Sequence, residues 1–211
     1  MNSWASRVWR RLHYGKPIVI VSGLPRSGTS MAMKMLAAGG MPILTDGVRT
    51  ADESNPKGYY ELEAVKELHK QADMRWLFDA RGKAVKIVSF LLTWLPETHD
   101  YKVIFMQRDL REVMASETTM LQKRGEPGET PDETHTLAVY QQHLEKVHRF
   151  LSNRRCFSTL TINYRDALER PEEAARRMRD FVDMPLNVDE MAHVADPSLY
   201  RNRAAAPQST R

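Results

Sequence analysis

Apolar runs and helical periodicities alternate along this chain, the pattern of βαβ units built around a mostly parallel sheet. Pro17 to Ser22 predicts a first, buried strand, and Ser30 to Ala38 a helix stopped by Gly39-Gly40. Met41 to Leu44 predicts a short second strand, Lys83 to Ser89 a third, Tyr101 to Gln107 a fourth and Phe157 to Ile162 a fifth. The fourth is the clearest, because Val103-Ile104-Phe105-Met106 is too apolar for a strand with one wet face.

Helices fill the intervals. Glu61 to Lys70 has Leu62, Val65 and Leu68 as apolar contacts, and Asp109 caps a helix carrying Leu110, Val113, Met114, Met120 and Leu121 at helical spacing. Asp132 to Asn153 buries Leu137, Tyr140, Leu144, Val147 and Leu151 on one stripe. Pro171, with Glu172 and Glu173 behind it, opens a last strong helix whose Ala174, Met178, Phe181 and Val182 face inward. The expectation is one α/β domain over residues 17–195, with a mostly parallel central sheet of about five strands flanked by helices. Residues 1–16 form an N-terminal extension and 196–211 a tail, disordered from Ala204 to Arg211.

Composition narrows the class. A length of 211 residues suits one domain with a sizeable core, and 42% hydrophobic with 27% charged residues excludes a disordered or fibrous chain. A net charge of +4 favours an anionic ligand or surface, although much of the arginine lies on solvated helix faces. One cysteine, Cys156, excludes an internal disulfide and a clustered thiolate site, so a reducing, cytoplasmic setting is expected. The longest apolar run, Ile87 to Leu95, is far below the roughly 20 residues that span a bilayer. Trp4, Val8, Trp9 and Leu12 recur at helical spacing beside Arg7, Arg10 and Arg11, compatible with membrane contact but better read as a helix packed on its own domain. No histidine pair has metal-ligand spacing, and His135, His143 and His148, on or near one helix, read as solvated. The basic residues are not interleaved with aromatics on one element, which argues against nucleic acid.

Two polar interruptions and two motifs carry the chemistry. Thr45 to Gly58 is an irregular excursion of the kind that shapes a pocket wall, and Gly125 to Thr130 is a polar loop. The strand Val19-Ile20-Val21-Ser22 runs into Gly23-Leu24-Pro25-Arg26-Ser27-Gly28-Thr29-Ser30, a phosphate loop with Thr29 in place of the usual lysine. Its backbone N–H groups and the following helix end point at one spot, to which Ser27, Thr29 and Ser30 add hydroxyls. The lysine of such loops reaches β and γ phosphates, so its absence suits a nucleotide without them, and Arg26 supplies charge from the other side. In the second motif, Arg108-Asp109-Leu110-Arg111-Glu112-Val113-Met114-Ala115-Ser116, Arg108 leaves the carboxyl end of a buried strand, where ligands of open α/β sheets bind. The plainer reading is an arginine paired with a neighbouring acid.

Together the two motifs resemble those of the sulfotransferases that use 3′-phosphoadenosine 5′-phosphosulfate, of the bacterial type with a phosphate-loop fold. Asn55-Pro56-Lys57-Gly58-Tyr59-Tyr60-Glu61 and Asn163-Tyr164-Arg165-Asp166-Ala167-Leu168 followed by Pro171 extend the resemblance over roughly Pro17 to Phe181. It implies that Arg26, Ser27, Gly28, Thr29 and Ser30 hold the 5′-phosphate, that Arg108 and Ser116 hold the 3′-phosphate, and that no metal takes part. Arg26 stands where many members have lysine, as in several carbohydrate-directed branches, and takes the role of stabilising the leaving phosphate oxygen. Arg201 and Arg203 match late basic residues that close over the 3′-phosphate.

The base departs from the family pattern. Cytosolic aryl and steroid members read Lys-Thr-His where this chain has Lys86-Ile87-Val88, so their catalytic histidine has no counterpart, while Lys86 retains its charge. Glu61 is then the candidate base, with a helix-start carboxylate as its equally weighted structural reading. Glu117, on the apolar side of its helix, is expected to be partly exposed. The expected activity is sulfuryl transfer from 3′-phosphoadenosine 5′-phosphosulfate to a hydroxyl of a small molecule or carbohydrate. A phosphate-loop kinase of small metabolites and a nucleotide-holding interaction protein without turnover are the alternatives.

Overall fold

The computed structural model describes residues 12–46, 60–70, 73–123, 125 and 132–195. Strand β1 (Ile18–Gly23) leads through a short loop into helix α1 (Thr29–Ala38). Helices α2 (Glu63–Lys66) and α3 (Trp76–Asp79) precede strand β2 (Ala84–Lys86), and a 3₁₀ segment, Ser89–Trp94, leads towards strand β3 (Tyr101–Gln107). Helices α4 (Leu110–Lys123) and α5 (Glu133–Ser152) follow, then strand β4 (Phe157–Asn163) and helices α6 (Tyr164–Glu169), α7 (Pro171–Val182) and α8 (Val188–His193).

The sheet is parallel throughout, in the order β2-β1-β3-β4, with Val21 opposite both Lys86 and Ile104. From β1 the chain moves to one side to form β2, then crosses over to form β3 on the other. The carboxyl ends of β1 and β3 therefore flank the point where strand order reverses, the crevice in which open α/β sheets bind ligands.

Period-two alternation sorts the strand side chains between two cores. Val19, Val21, Ile104 and Ile162 face a layer with Met33 and Leu36 of α1 and Met178 of α7. Ile18, Ile20, Val103 and Phe105 face the other, with Leu92 of the 3₁₀ segment and Val147 and Leu151 of α5. Both faces of β1 are buried, which is why its sequence is continuously apolar. Pro171 opens α7, Asp183 ends it in the left-handed region at φ 59°, and Lys102 of β3 donates to the last helical carbonyl, Val182, at 3.0 Å.

The fold class read from the sequence is the one observed, with four strands among the described residues rather than about five. Met41 to Leu44 makes only a single bridge, Ile43 to Ala84, at the sheet edge. The expected strand Lys83 to Ser89 is reduced to Ala84–Lys86, although Ile87 N–H still donates to Val21 O at 3.0 Å. The helix expected over Glu61 to Lys70 is split into α2 and a 3₁₀ turn, Leu68–Lys70, and it starts late because the chain around Glu61 is tied down. Thr45 Oγ1 donates to Glu61 O at 2.7 Å, and the Asp46 carboxylate accepts from Glu63 N–H, capping α2 from a distant segment. The N-terminal pattern from Trp4 to Trp9, most of the Thr45 to Gly58 excursion, the Gly125 to Thr130 loop beyond Gly125, and the tail with Arg201 and Arg203 lie outside the described residues.

Leu36 is fully buried between α1 and the sheet. Leu36→Ala is expected to lower stability by about 3 kcal/mol through lost transfer energy and the cavity left behind. A urea midpoint lowered by more than about 1 M checks this.

Candidate active site

The loop between β1 and α1 is held open by backbone geometry that its sequence permits. Gly28 sits at φ 99° as the N-cap of α1, and a Cβ there would lie 2.4 Å from the Tyr164 ring, so conformation and space both require glycine. The loop is braced from within: Ser27 Oγ donates to Leu24 O at 2.7 Å, and the residue is 1% exposed. Its hydroxyl shapes the loop rather than facing outward, which revises the expectation that three hydroxyls converge on the phosphate spot. Helix α1 has neither a side-chain cap nor an acidic residue in its first turn, so its own sequence does not neutralise its positive end.

The second motif closes on the first. Arg26, at φ 65°, donates from Nε to Ser116 Oγ at 3.0 Å, and Arg108 donates from Nη1 to the Arg26 carbonyl at 3.1 Å. Arg108 also donates from Nε to Glu112 at 3.0 Å, and its guanidinium lies 4.5 Å over the Tyr164 ring. The plainer reading of Arg108 as the partner of a neighbouring acid thus holds together with its place beside the phosphate loop. Glu112 is 3% exposed and accepts a second arginine, Arg165 of α6, at 3.3 Å. A buried carboxylate held by two guanidiniums fixes both, and removing it would leave Arg108 without its Nε partner. Glu112 and Arg165 were not singled out from the sequence, although Glu112 lies one helical turn from Arg108, where an ion pair is expected.

Lys86 and Glu61 meet on the β2 side of β1, their charged ends 3.4 Å apart and both side chains largely buried. Glu61 lies two residues before α2 and its side chain turns to Lys86, which corrects its reading as a helix-start carboxylate.

Above the sheet, α4 and α5 are joined by Tyr140, whose hydroxyl donates to Glu117 at 2.8 Å. Burial, and secondly the Glu117 carboxylate, push the Tyr140 phenol up from 10.0 to about 12. His143, one turn further along α5, is half-buried rather than solvated: its Nε2 lies 2.9 Å from Ser89 Oγ and its ring stacks on Phe90. Burial, and secondly the charge of Lys146, hold His143 below its ordinary pKa of 6.5. His148 is likewise half-buried, against Phe105.

Among the described residues no group of histidine, cysteine and carboxylates could hold a metal ion. A separate cleft of about 810 Å³ at the amino ends of the strands, walled by Phe78, Arg81 and His99, includes no residue of either motif.

Because the Tyr140 phenol is raised, the folded state binds more protons than the unfolded chain between pH 10 and about 12. The contribution is complete below pH 10 and is lost as pH rises through about 12. Tyrosinate absorbance should show a late-titrating component near pH 12 that is lost in Tyr140→Phe and moves down in Glu117→Gln.

The fold is similar to that of mouse sulfotransferase SULT7A1, whose crystal structure is complexed with PAP, at a TM-score of 0.54 and 14% identity over 90% of this chain and 68% of that one. No curated protein sequence matches the chain. Residues 57–188, more than half of the chain, match the sequence model of the sulfotransferase family, and they include Arg108, Glu112 and Ser116. With its fold and the greater part of its sequence in agreement, the chain belongs to the sulfotransferase family.

Proposed function

We propose that this protein transfers a sulfuryl group from 3′-phosphoadenosine 5′-phosphosulfate to a hydroxyl of a small-molecule or carbohydrate acceptor. The observation that carries the reading is the direct contact between the two anion-binding motifs, Arg26 to Ser116 at 3.0 Å and Arg108 to the Arg26 carbonyl. Two phosphates on one adenosine need two seats a few ångströms apart, and these contacts supply adjacent seats.

The residues present fit such a donor. The uncapped positive end of α1 is a seat for the 5′-phosphate, with Ser27, Gly28, Thr29 and Ser30 around it, while the Tyr164 ring packs against Gly28 and fixes the loop. Arg108 and Ser116 would hold the 3′-phosphate. When bound, 3′-phosphoadenosine 5′-phosphosulfate supplies an activated sulfuryl group on a single-phosphate chain, which has no use for the lysine replaced by Thr29.

In this reading the residues divide the work by position. Arg26, held at Nε by Ser116, stabilises the charge that grows on the phosphate oxygen as the sulfur–oxygen bond breaks. Glu61 takes the proton of the acceptor hydroxyl as its oxygen bonds to sulfur, and Lys86 beside it meets the negative oxygens of the moving group. Every step can be written without a metal. A small-metabolite kinase would need charge at the loop position where Thr29 stands, and no contact of Thr29 supports it. The single cysteine, Cys156, is buried, and a chain with one cysteine has no internal disulfide to form, so we place the protein in a reducing, cytoplasmic setting. No helix among the described residues is long and apolar enough to cross a membrane.

Titration with the desulfated product, 3′-phosphoadenosine 5′-phosphate, tests the donor assignment. A dissociation constant in the micromolar range is expected, and no binding at millimolar concentration would overturn the reading. Arg108→Ala should weaken that binding by more than about tenfold while shifting the acceptor KM far less. Arg26→Ala should instead lower kcat by about 10²-fold, the scale of one lost transition-state donor, and an unchanged kcat would move that role elsewhere.

A further inference from the structure

A second concavity lies at the opposite end of the sheet from the two anion-binding motifs. The segment before β1, helix α3 with its turn into β2, and the loop before β3 meet at the amino ends of the strands and border a cleft of about 810 Å³. Small-molecule sites span roughly 300–1,000 Å³, so the cleft has the size of a ligand pocket. No residue assigned to sulfuryl transfer lines it, and that reaction gives it no role.

The walls divide by chemistry. Met74, Leu77, Phe78 and Pro96 make an apolar side. Leu77 is buried, whereas the Phe78 ring is 58% exposed, a large aromatic surface left in water at the edge of a cavity. His99, itself 4% exposed, meets that ring edge-on with centroids 5.3 Å apart and holds its orientation. His13 and Tyr14, in edge contact at 5.0 Å, bring two more rings to the lining. A cavity with four aromatic side chains in its wall favours a flat guest.

The charge in the wall is uneven. Asp73 is taken up by Arg75, which donates to it from Nε at 3.0 Å and from Nη2 at 2.8 Å, so that pair neutralises itself. Arg81 has no such arrangement: its guanidinium stands 4.7 Å over the Phe78 ring, and its Nε is enclosed with no hydrogen-bond partner among the described residues. Gly15, at φ 80°, backs onto the same side chain, where a Cβ would lie 3.4 Å from Arg81 Cδ and 3.6 Å from Nε. Packing thus fixes the guanidinium plane and leaves its charge uncompensated by the wall. Burial, and secondly the Arg81 charge, hold His99 below its ordinary pKa of 6.5, so its ring adds no second cation at pH 7. One positive charge beside aromatic surface matches one negative charge on a flat apolar body, and a planar guanidinium suits a planar carboxylate. A phosphoryl group, with close to two charges, would leave one of them unmatched.

We propose that this cleft is a second ligand site, separate from the transfer site, and that it takes an aromatic monocarboxylate, with the carboxylate on Arg81 and the ring against Phe78. The assignment stands apart from the sulfuryl-transfer reading.

The test is a calorimetric titration of the full chain, without nucleotide, with 2-naphthoate and with its neutral analogue 2-naphthamide. Submillimolar binding of 2-naphthoate is expected, with 2-naphthamide at least about tenfold weaker. Arg81→Gln should weaken 2-naphthoate about tenfold and abolish the preference between the two, whereas Phe78→Ala should weaken both severalfold and keep it. Unliganded melting midpoints within about 3 °C of the parent show that the variants have folded. Amide shifts of the unmutated protein on adding 2-naphthoate should concentrate at residues 74–81 and 96–99, a readout that decides the matter even for an Arg81→Gln chain that does not fold. No binding at millimolar concentration, equal affinity for the two probes, undiminished affinity in folded Arg81→Gln, or shifts centred on residues 23–30 and 86–90 would each overturn the proposal. Failure of 3′-phosphoadenosine 5′-phosphate to bind overturns the donor assignment and leaves these outcomes unaltered.

Discussion

Arg108 divides one guanidinium among the Glu112 carboxylate, the Arg26 carbonyl and the face of Tyr164, and the geometry of the whole site depends on that division. It is possible because β1 and β3 are hydrogen-bonded neighbours, so the residue leaving one strand arrives beside the loop leaving the other. Each partner imposes a further condition. Glu112 must be buried and must itself be held, which brings in Arg165. Tyr164 must lie flat under the guanidinium, and its ring then occupies the space next to Gly28, where no side chain fits. The loop, the start of α4 and the junction between β4 and α6 are therefore one mechanical unit, although they are far apart in sequence.

Much of that unit was legible in advance. The buried strands at 18–23 and 101–107 declare themselves because both faces are covered, leaving no polar alternation to blur them. Once the two strands are placed, the motifs at their carboxyl ends point to a shared crevice. What stayed hidden depended on contacts with no local signal. Met41 to Leu44 has strand-like composition but reaches the sheet at one bridge only, because it runs along the edge. Helices α6 and α8 are too short for periodicity to appear, and each is set by an asparagine cap, Asn163 and Asn187, and by packing.

The junction between the 3₁₀ segment and α5 was harder still. His143 shows the usual surroundings of a surface histidine in sequence, with Gln141, Gln142 and Glu145 nearby, and nothing there announces that Ser89 and Phe90 will come up beneath it. Glu61 was found for a reason that the fold corrects: it was placed at a helix start, yet its environment comes from Lys86 and from backbone ties to Thr45. In both cases the decisive partner lies on another element, and spacing along the chain has no access to it.

Those backbone ties have an energetic consequence. Thr45 and Asp46 fasten onto Glu61 and Glu63 at the base of the intervening stretch, so the stem is closed whatever its contents. Closing a longer stretch on a fixed stem costs only about 0.6 kcal/mol for each doubling of its length. The stretch between can therefore change length at little energetic cost while the Glu61 carboxylate keeps its address beside Lys86.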